Sequence, residues 1–453
     1  MKKLAVAMLS ILATSHYAHA VRLGSAVSDA NYKDYIVRFE VKSTDGLTYT
    51  CGGLLLKGQY VLTAGHCVGT EYSTTTTPDG YTTTEYQKWI DNGASNAITL
   101  YQSVDYYGNA TTTTYSVIEL VNDGYSKART EAVDELDYVR SQYSSADWST
   151  YATTSDLQSF VGVGHHDLAL IKLNTVLSQK HSARLTPIYD TASNTFNVNL
   201  GDSLTFRGWG VDETDTYPSV MQQTTLALNY STMEYNPLSP TNTGDMTACE
   251  NSASDFCNYS LADYFKMYPT TLTSLPDKGD SGTPVVSSSD QVFSVAKSVN
   301  RPTYTYASFT NIGWYLPYII DSIDSLSAPK KVTLNSAHKT TSFWIQNLRA
   351  SSETINPTVG DNSANTFSIS GCASVTLASM ESCQVTLTYS GSTEGETARI
   401  YLADSLSTNI SLSYSNPSSS TGGGEGEGGG GGAVGPWGML LMMAFAFIRR
   451  RYA

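Results

Sequence analysis

The stretch Leu275–Pro284, which reads Leu-Pro-Asp-Lys-Gly-Asp-Ser-Gly-Thr-Pro, constrains the fold of this chain more than any other. Glycines on both sides of Ser281 let the backbone bend sharply and expose one hydroxyl. A serine hydroxyl becomes a strong nucleophile only when a base takes its proton and backbone N–H groups stabilise the resulting oxyanion. The N–H groups of Gly279 and Ser281 are the candidate donors. The fold must therefore bring a base and an orienting acid to this bend; without them it is a glycine-rich turn.

Two upstream segments carry the missing groups. Residues 53–56 and 60–62 predict two short strands, and Thr-Ala-Gly-His-Cys follows the second, placing His66 at its end. A single histidine is more often structural than catalytic. Asp167 begins the apolar run Leu168–Leu173, which predicts another strand. In this chain order, His66, Asp167 and Ser281 supply a base, an orienter and a nucleophile. The alternative, a metal site around His165, His166 and Asp167, is not favoured.

Four motifs stand in the order seen in trypsin/chymotrypsin-like serine peptidases, which residues 21–325 resemble. They are Thr-Ala-Gly-His-Cys, His-Asp-Leu-Ala-Leu-Ile-Lys-Leu, Gly-Trp-Gly at 208–210, and Gly-Asp-Ser-Gly-Thr-Pro. The resemblance implies a double β-barrel with His66 as general base, Asp167 as its orienter and Ser281 as nucleophile. It also implies an oxyanion hole from Gly279 and Ser281, a Cys51–Cys67 disulfide, protein or peptide substrates, and no metal or organic cofactor.

The sequence departs from that family in three places. Asp277 stands where the family has a disulfide cysteine, Thr283 replaces a glycine, and the gap from His66 to Asp167 is long. None of these departures removes a catalytic group. In the resembled family, the residue six before the nucleophile forms the base of the specificity pocket. Leu275 at that position favours an uncharged apolar or aromatic side chain, and Asp277 is the alternative pocket residue.

The N-terminus has the three parts of a secretory signal peptide, which predicts removal of residues 1–20. The resemblance implies that a new N-terminal ammonium pairs with Asp280, because a buried carboxylate needs a partner. Cleavage after Arg22 would create that ammonium at Leu23, whereas signal peptidase itself would create it at Val21. We favour the cut after Arg22.

Composition suits an exported β-rich protein. Charged residues make up 15% of the chain and there are 31 tyrosines, with many threonines and serines, which favours strands and loops. The formal net charge of −14 argues against nucleic acid or an anionic membrane as a partner. Six cysteines predict disulfides in an oxidising compartment. Sequence proximity suggests the pairs Cys249–Cys257 and Cys372–Cys383, and zinc-type spacing is absent.

Beyond the motifs, the chain divides into further segments. Residues 70–160 are interpreted as an insertion on the first barrel, either restricting substrate entry or decorating the surface. Helical spacing predicts a closing helix at 312–323. From 327 to 414, short alternating runs predict a small β-sandwich that resembles bacterial immunoglobulin-like modules, as a spacer, docking module or stabilising appendage.

The tail predicts a flexible linker over 415–432 and a transmembrane-type segment over 433–453 that ends in arginines. It resembles the GlyGly-CTERM sorting signal of Gram-negative bacteria. That resemblance implies type II secretion, processing by a rhomboid-like peptidase, and transient inner-membrane anchoring through residues 433–448. A permanent anchor is the alternative.

These features together predict an all-β serine endopeptidase that is secreted or displayed on the surface of a Gram-negative bacterium. The main alternative is a catalytically silent adhesin or binding protein with a protease fold. An esterase that uses the same triad is a third possibility.

Overall fold

The computed structural model describes most of the chain between residues 21 and 415. The described ranges are 21–76, 82–103, 110–121, 167–190, 195–199, 201–218, 220–234, 264–270, 274–300, 303, 305–402 and 409–415. The predicted signal peptide, Cys249, Cys257, residues 416–432 of the predicted linker and the predicted sorting tail lie outside these ranges. In the part that is described, no helix is long and apolar enough to cross a membrane.

Strands dominate the described chain, in agreement with the predicted all-β architecture. The strands that precede the helix are β1 (Ser25–Ala26), β2 (Ile36–Lys42), β3 (Thr48–Leu56), β4 (Tyr60–Thr63), β5 (Gly69–Thr76), β6 (Thr82–Lys88), β7 (Ile98–Ser103), β8 (Ala110–Tyr115), β9 (Val117–Val121), β10 (Ala169–Leu173), β11 (Arg184–Leu185), β12 (Tyr189–Asp190), β13 (Thr195–Phe196), β14 (Ser203–Gly208), β15 (Gln222–Glu234), β16 (Tyr264–Pro269), β17 (Pro284–Val286), β18 (Gln291–Val299) and β19 (Ala307–Asn311).

Helix α1 (Ile312–Ile323) follows β19, as the helical spacing predicted. Its N-terminus is capped by the Asn311 side chain, which accepts a hydrogen bond from the Gly313 N–H at 3.0 Å. The strands after the helix are β20 (Ser325–Ser327), β21 (Lys331–Leu334), β22 (Thr340–Leu348), β23 (Glu353–Ile355), β24 (Thr358–Gly360), β25 (Phe367–Ser370), β26 (Val375–Leu377), β27 (Ser382–Tyr389), β28 (Thr397–Tyr401) and β29 (Asn409–Tyr414).

The first barrel sheet has seven strands in the order β8-β7-β2-β3-β4-β10-β9. Alternating apolar residues of β2, among them Val37 and Phe39, meet Leu55, Val61 and Ile171 in one buried cluster. The sheet also corrects the interpretation of residues 70–160 as a single insertion. Strands β7 and β9 lie within that range, yet they pair with β2 and β10 as integral parts of the barrel.

The second barrel is closed. The order β15-β14-β17-β18-β19-β16 returns to its start because β16 also pairs with β15, and β1 extends the sheet from β15. Closure removes unpaired sheet edges and leaves an interior wide enough to be filled by side chains such as Phe206, Phe265 and Phe309. The two barrel sheets fit the predicted double β-barrel.

The C-terminal part contains two four-stranded sheets, β20-β22-β27-β25 and β21-β29-β28-β24. Buried residues alternate along β27 and β29, so each sheet presents one apolar face to a shared core that includes Phe343, Val385 and Leu412. Strand β20 pairs with β22, with Ser325 opposite Leu348. The sandwich therefore begins at Ser325, two residues before the predicted boundary at 327.

The sandwich packs directly on the peptidase-like part, and the two belong to one compact unit. The segment 178–185 lies between them. Its Leu185 backbone donates to Gln346 Oε1 at 2.9 Å and accepts from Gln346 Nε2 at 2.7 Å. The Ser182 hydroxyl bonds to the backbone of Trp344, and the guanidinium of Arg184 lies 4.0 Å from the centroid of the Trp344 ring. The sandwich and the barrels are therefore joined by hydrogen bonds within one folded unit.

Candidate active site

His66 and Asp167 are brought together by the pairing of β4 with β10. Ala169 lies opposite Thr63, so the residues just before β10 meet the short 3₁₀ turn Gly65–Cys67 that follows β4. Asp167 Oδ2 lies 2.6 Å from His66 Nδ1, and Asp167 Oδ1 accepts the His66 backbone N–H at 2.8 Å. The Asp167 side chain is only 3% exposed, whereas that of His66 is 38% exposed. The acid therefore holds the imidazole with its other edge accessible.

The two groups shift each other's pKa. Burial lowers the pKa of His66, but the charge of Asp167 and the hydrogen bond to it raise that pKa above its usual 6.5. Burial raises the pKa of Asp167, and this is outweighed by His66, so the carboxyl pKa lies below its usual 3.8. Lys297 lowers both pKa values through its charge. Asp167 is thus ionised at neutral pH, which suits an orienting acid.

The Ser281 bend packs against the turn that carries His66. The Gly52 N–H donates to the Ser281 carbonyl oxygen at 2.8 Å, and Cys67 Sγ lies 3.6 Å from the same oxygen. Gly282 has a φ of +81°, and a Cβ there would lie 2.0 Å from the Thr63 hydroxyl oxygen. Only glycine fits this approach. The Gly-Asp-Ser-Gly turn therefore packs closely against the first barrel, next to the turn that carries His66.

Thr283 stands where the resembled family has a glycine, and Gly52 on the facing strand leaves room for its side chain. A Cβ at Gly52 would lie 1.7 Å from the Thr283 hydroxyl oxygen, so the threonine occupies space that a larger residue at 52 would fill. Thr283 itself is fully buried.

The Ser281 hydroxyl and the two candidate oxyanion donors form no hydrogen bond in the part of the chain that the structure describes. The side chain of Ser281 forms no hydrogen bond there, and neither the Gly279 nor the Ser281 N–H donates one. Catalytic hydrogen bonds are often long before substrate binds and tighten in the complex. Gly279 has a φ of +88°, and a Cβ there would lie 2.8 Å from the Tyr217 ring. Both N–H groups are therefore available to a substrate oxygen.

Asp280 is fully buried beneath the Ser281 bend. Its carboxylate accepts the N–H groups of Gly210 at 2.7 Å and Asp277 at 3.0 Å. A Cβ at Gly208 or at Gly210 would lie within 2.4 Å of a carboxylate atom, which explains the two glycines of the Gly-Trp-Gly motif. Burial raises the pKa of Asp280 well above its usual 3.8, although hydrogen bonds from the backbone of Gly210 and Trp209 lower it.

Val21 is held close to this loop. It is fully buried in the core of the second barrel together with Leu275. Arg22 forms an antiparallel bridge with Leu275, and the Gly24 N–H donates to the Val21 carbonyl oxygen at 2.6 Å. Leu23, by contrast, is 49% exposed.

A cavity of about 260 Å³ lies beside Ser281. Pro276, Asp277 and Lys278 line one wall, and Ala296, Lys297, Ser298 and Val299 line the other. Leu275 is buried in the barrel core and does not line this cavity. Its backbone forms the bridge to Arg22, and its role at the base of a specificity pocket stays a prediction. Asp277, the alternative, is at the wall.

The disulfides that the structure describes are Cys51–Cys67 and Cys372–Cys383. The sulfurs of Cys51 and Cys67 lie near the His66 ring in an arrangement that resembles a metal-binding cluster. Because these sulfurs are bonded to each other, they provide no thiolate ligand. We place no metal at this site.

The sequence reasoning missed several residues that the fold brings to the site. The Thr310 hydroxyl donates to the Asp167 carbonyl oxygen at 2.9 Å, Gly52 receives the nucleophile loop, and Lys297 lies at the cavity wall. It also missed a second histidine–aspartate pair, His181 with Asp34 at 3.1 Å, remote in sequence from Ser281. No local motif marks any of them.

The chain is similar to a known protein family and to several solved structures. Residues 23–138 match the trypsin family model. The match includes His66 and most of the first barrel, and it supports a trypsin-like peptidase fold. The VesB protease of Vibrio cholerae is similar at 18% identity, over 87% of this chain and 99% of that chain, with a TM-score of 0.36.

Two other solved structures are similar at the same level. The secreted serine protease VesC from Vibrio cholerae is 16% identical over 87% of this chain and 71% of that chain, with a TM-score of 0.36. An inactivated protease paralogue of the scabies mite is 18% identical over 66% of this chain and 98% of that chain, with a TM-score of 0.38.

Proposed function

We propose that the chain is a serine endopeptidase that hydrolyses peptide bonds through an acyl-enzyme on Ser281. His66 takes the hydroxyl proton through Nε2 while Ser281 Oγ forms a bond to the scissile carbonyl carbon. The N–H groups of Gly279 and Ser281 stabilise the oxyanion. His66⁺ then returns the proton to the leaving amine as the C–N bond breaks. Water, deprotonated by His66, hydrolyses the ester and restores Ser281.

The observation that carries this proposal is the contact of 2.6 Å between His66 Nδ1 and buried Asp167 Oδ2, placed against the Ser281 bend. The His181–Asp34 pair shows that such a contact alone is insufficient, since it is found elsewhere in the same chain. The His66–Asp167 pair differs because it lies next to Ser281, where the N–H groups of Gly279 and Ser281 are available to a substrate. A catalytically silent binding protein would have no use for that combination.

A fluorophosphonate tests this proposal, because it bonds covalently only to an activated serine. We expect one adduct in the intact mass of the secreted protein and none in Ser281→Ala. Ser43→Ala, which changes a serine on an exposed turn, should be labelled like the wild type. A wild-type chain that starts at the processed N-terminus and remains unlabelled would favour the binding-protein alternative. Cleavage of casein, compared with small esters, separates endopeptidase from esterase activity.

We also propose that the active N-terminus is Val21, with its ammonium paired with Asp280. The proposal is supported by the complete burial of Val21 and by the bridge from Arg22 to Leu275. A cut after Arg22 would remove both residues and leave exposed Leu23 at the end. The structure thus argues against the cut that we favoured from sequence. Signal peptidase alone would produce the active form, and no zymogen would accumulate.

Intact mass and N-terminal sequencing of the active protein check this prediction. We expect the sequence Val-Arg-Leu-Gly-Ser, and we expect Arg22→Gln to be processed and labelled by fluorophosphonate like the wild type. Asp280→Asn should lose labelling by about 10²-fold or more, because the loop that holds the oxyanion donors loses its buried ionic anchor. A start at Leu23, or an unprocessed and unlabelled Arg22→Gln, would contradict the proposal.

For the remaining segments the proposals rest on sequence. Residues 1–20 direct export, and 415–453 form a linker and a sorting tail that is processed by a rhomboid-like peptidase during type II secretion. The sandwich is an immunoglobulin-like module, and its contacts with segment 178–185 support a stabilising role. The same intact mass reports whether the secreted chain ends near the glycines of 422–432.

A further inference from the structure

Lys297 lies in β18, the strand that is hydrogen-bonded to the Ser281 bend. It follows Ala296, which is hydrogen-bonded to the bend on both sides: its carbonyl accepts the Gly282 N–H at 2.7 Å, and its N–H donates to Thr283 at 2.8 Å. The register of β18 against β19 shifts between Ala296 and Ser298, so Lys297 is the extra residue of a β-bulge. Bulges next to active sites re-aim a side chain.

The same two strands also hold the acid. Thr310 of β19, which pairs with Val295 of β18, donates its hydroxyl hydrogen bond to the Asp167 carbonyl oxygen. Lys297 therefore lies two residues from the point where the second barrel holds Asp167, and it lines the cavity that contains Ser281. Lys297 therefore shares a cavity with the nucleophile and lies on the strand pair that contacts Asp167.

Few other charged groups shift the pKa values of His66 and Asp167. Charged groups on the surrounding described elements include Asp277 and Lys278 in the loop before Ser281, Asp280 beneath it, and Lys297. Arg38, which pairs with Glu40, stacks on the Tyr217 ring beside Gly279. The Lys278 ammonium is exposed and lies 3.6 Å from Asp215. Among the described charges, Asp167 raises the pKa of His66 and Lys297 lowers it.

We propose that Lys297 is a positioning residue that keeps Asp167 ionised and favours the neutral imidazole of His66 in the free enzyme. The proposal rests on the proposed function, because a neutral His66 is the form that accepts the Ser281 proton. A like charge near an imidazole opposes its protonation, and an ammonium near a carboxylate opposes that group's protonation. The consequence is activity that extends to lower pH than the His66–Asp167 pair alone would permit.

The test is the pH dependence of the fluorophosphonate labelling rate, measured on the secreted protein with Lys297→Met. Labelling requires neutral His66, so its rate rises with pH through the pKa of His66. Loss of the cation should move this rise to higher pH by roughly half to one unit, the size of one charge interaction near a protein surface. Below the rise, the variant should be labelled roughly three- to tenfold more slowly than the wild type.

Two further variants separate charge from structure. Lys297→Arg keeps the cation and should restore the wild-type pH dependence, and Lys278→Met should leave the rise at its wild-type pH, whatever else it changes. An NMR titration of the His66 ring in the Ser281→Ala background measures the same shift without activity, with His181 as an internal reference. Unlabelled wild-type protein would sink the proposed function, whereas the NMR titration would still decide the role of Lys297. The inference is overturned if Lys297→Met titrates like the wild type, or if Lys297→Arg shifts as far as Lys297→Met.

Discussion

Asp167→Asn should reduce kcat by about 10⁴-fold, as such a change does in a Ser-His-Asp triad. The asparagine is nearly isosteric, and its oxygen can still accept the His66 backbone N–H that Asp167 accepts at 2.8 Å. Its amide group would then face His66 Nδ1 and donate to it, which forces the proton onto Nε2. In that tautomer the imidazole cannot take the proton of Ser281. The measurement is kcat on a peptide pool or ester, with the fluorophosphonate labelling rate as a second readout.

The chain supplies a matched control for this substitution. Asp34 is buried and accepts both the backbone N–H of His181 and a contact from its ring Nδ1. Asp34→Asn repeats the same chemical change on the same kind of pair, and none of the described contacts of Asp34 involves the Ser281 bend. It should leave kcat per folded molecule within about threefold, even if it lowers stability. Equal losses of kcat per folded molecule in the two variants would contradict the role of Asp167 in the triad.

The motifs predicted the parts of the site that depend on local sequence. Thr-Ala-Gly-His-Cys placed His66 at the end of a strand, and the apolar run after Asp167 predicted the strand that pairs with it. The helix at 312–323 followed from its spacing. In each case a short segment carries the signal, because the strand or helix period and the turn residues are encoded within about ten residues.

What sequence reasoning missed or misjudged depends on long-range packing. Counting from Ser281 gave no sign that Leu275 is buried in the core or that it forms a backbone bridge to Arg22, more than 250 residues away in sequence. Gly52 and Thr283 fit each other through a contact between barrels. Lys297 lines the cavity from a bulge in β18, and no local residue pattern predicts that bulge. Such placements come from the register of paired strands, which one sequence does not reveal.

The interface between the barrels and the sandwich depends on the same kind of contact. Gln346 is 1% exposed and satisfies both backbone groups of Leu185, and its Nε2 also donates to the Met380 carbonyl oxygen at 3.0 Å. Gln346→Ala should lower the free energy of unfolding by about 2–5 kcal/mol, because it leaves buried N–H and C=O groups without partners. The denaturation midpoint in guanidinium chloride measures this change.

The same experiment decides whether the sandwich stabilises the peptidase. If the two share one folded body, loss of fluorophosphonate labelling and loss of near-ultraviolet circular dichroism should occur together, and both midpoints should fall in Gln346→Ala. Gln384→Ala removes an exposed glutamine from the neighbouring strand β27 and should change the free energy of unfolding by less than about 0.5 kcal/mol. A sandwich that is merely attached would unfold first in Gln346→Ala and leave the labelling midpoint at its wild-type value. Coupled midpoints would mean that the active site depends for its stability on a module that carries none of its catalytic groups.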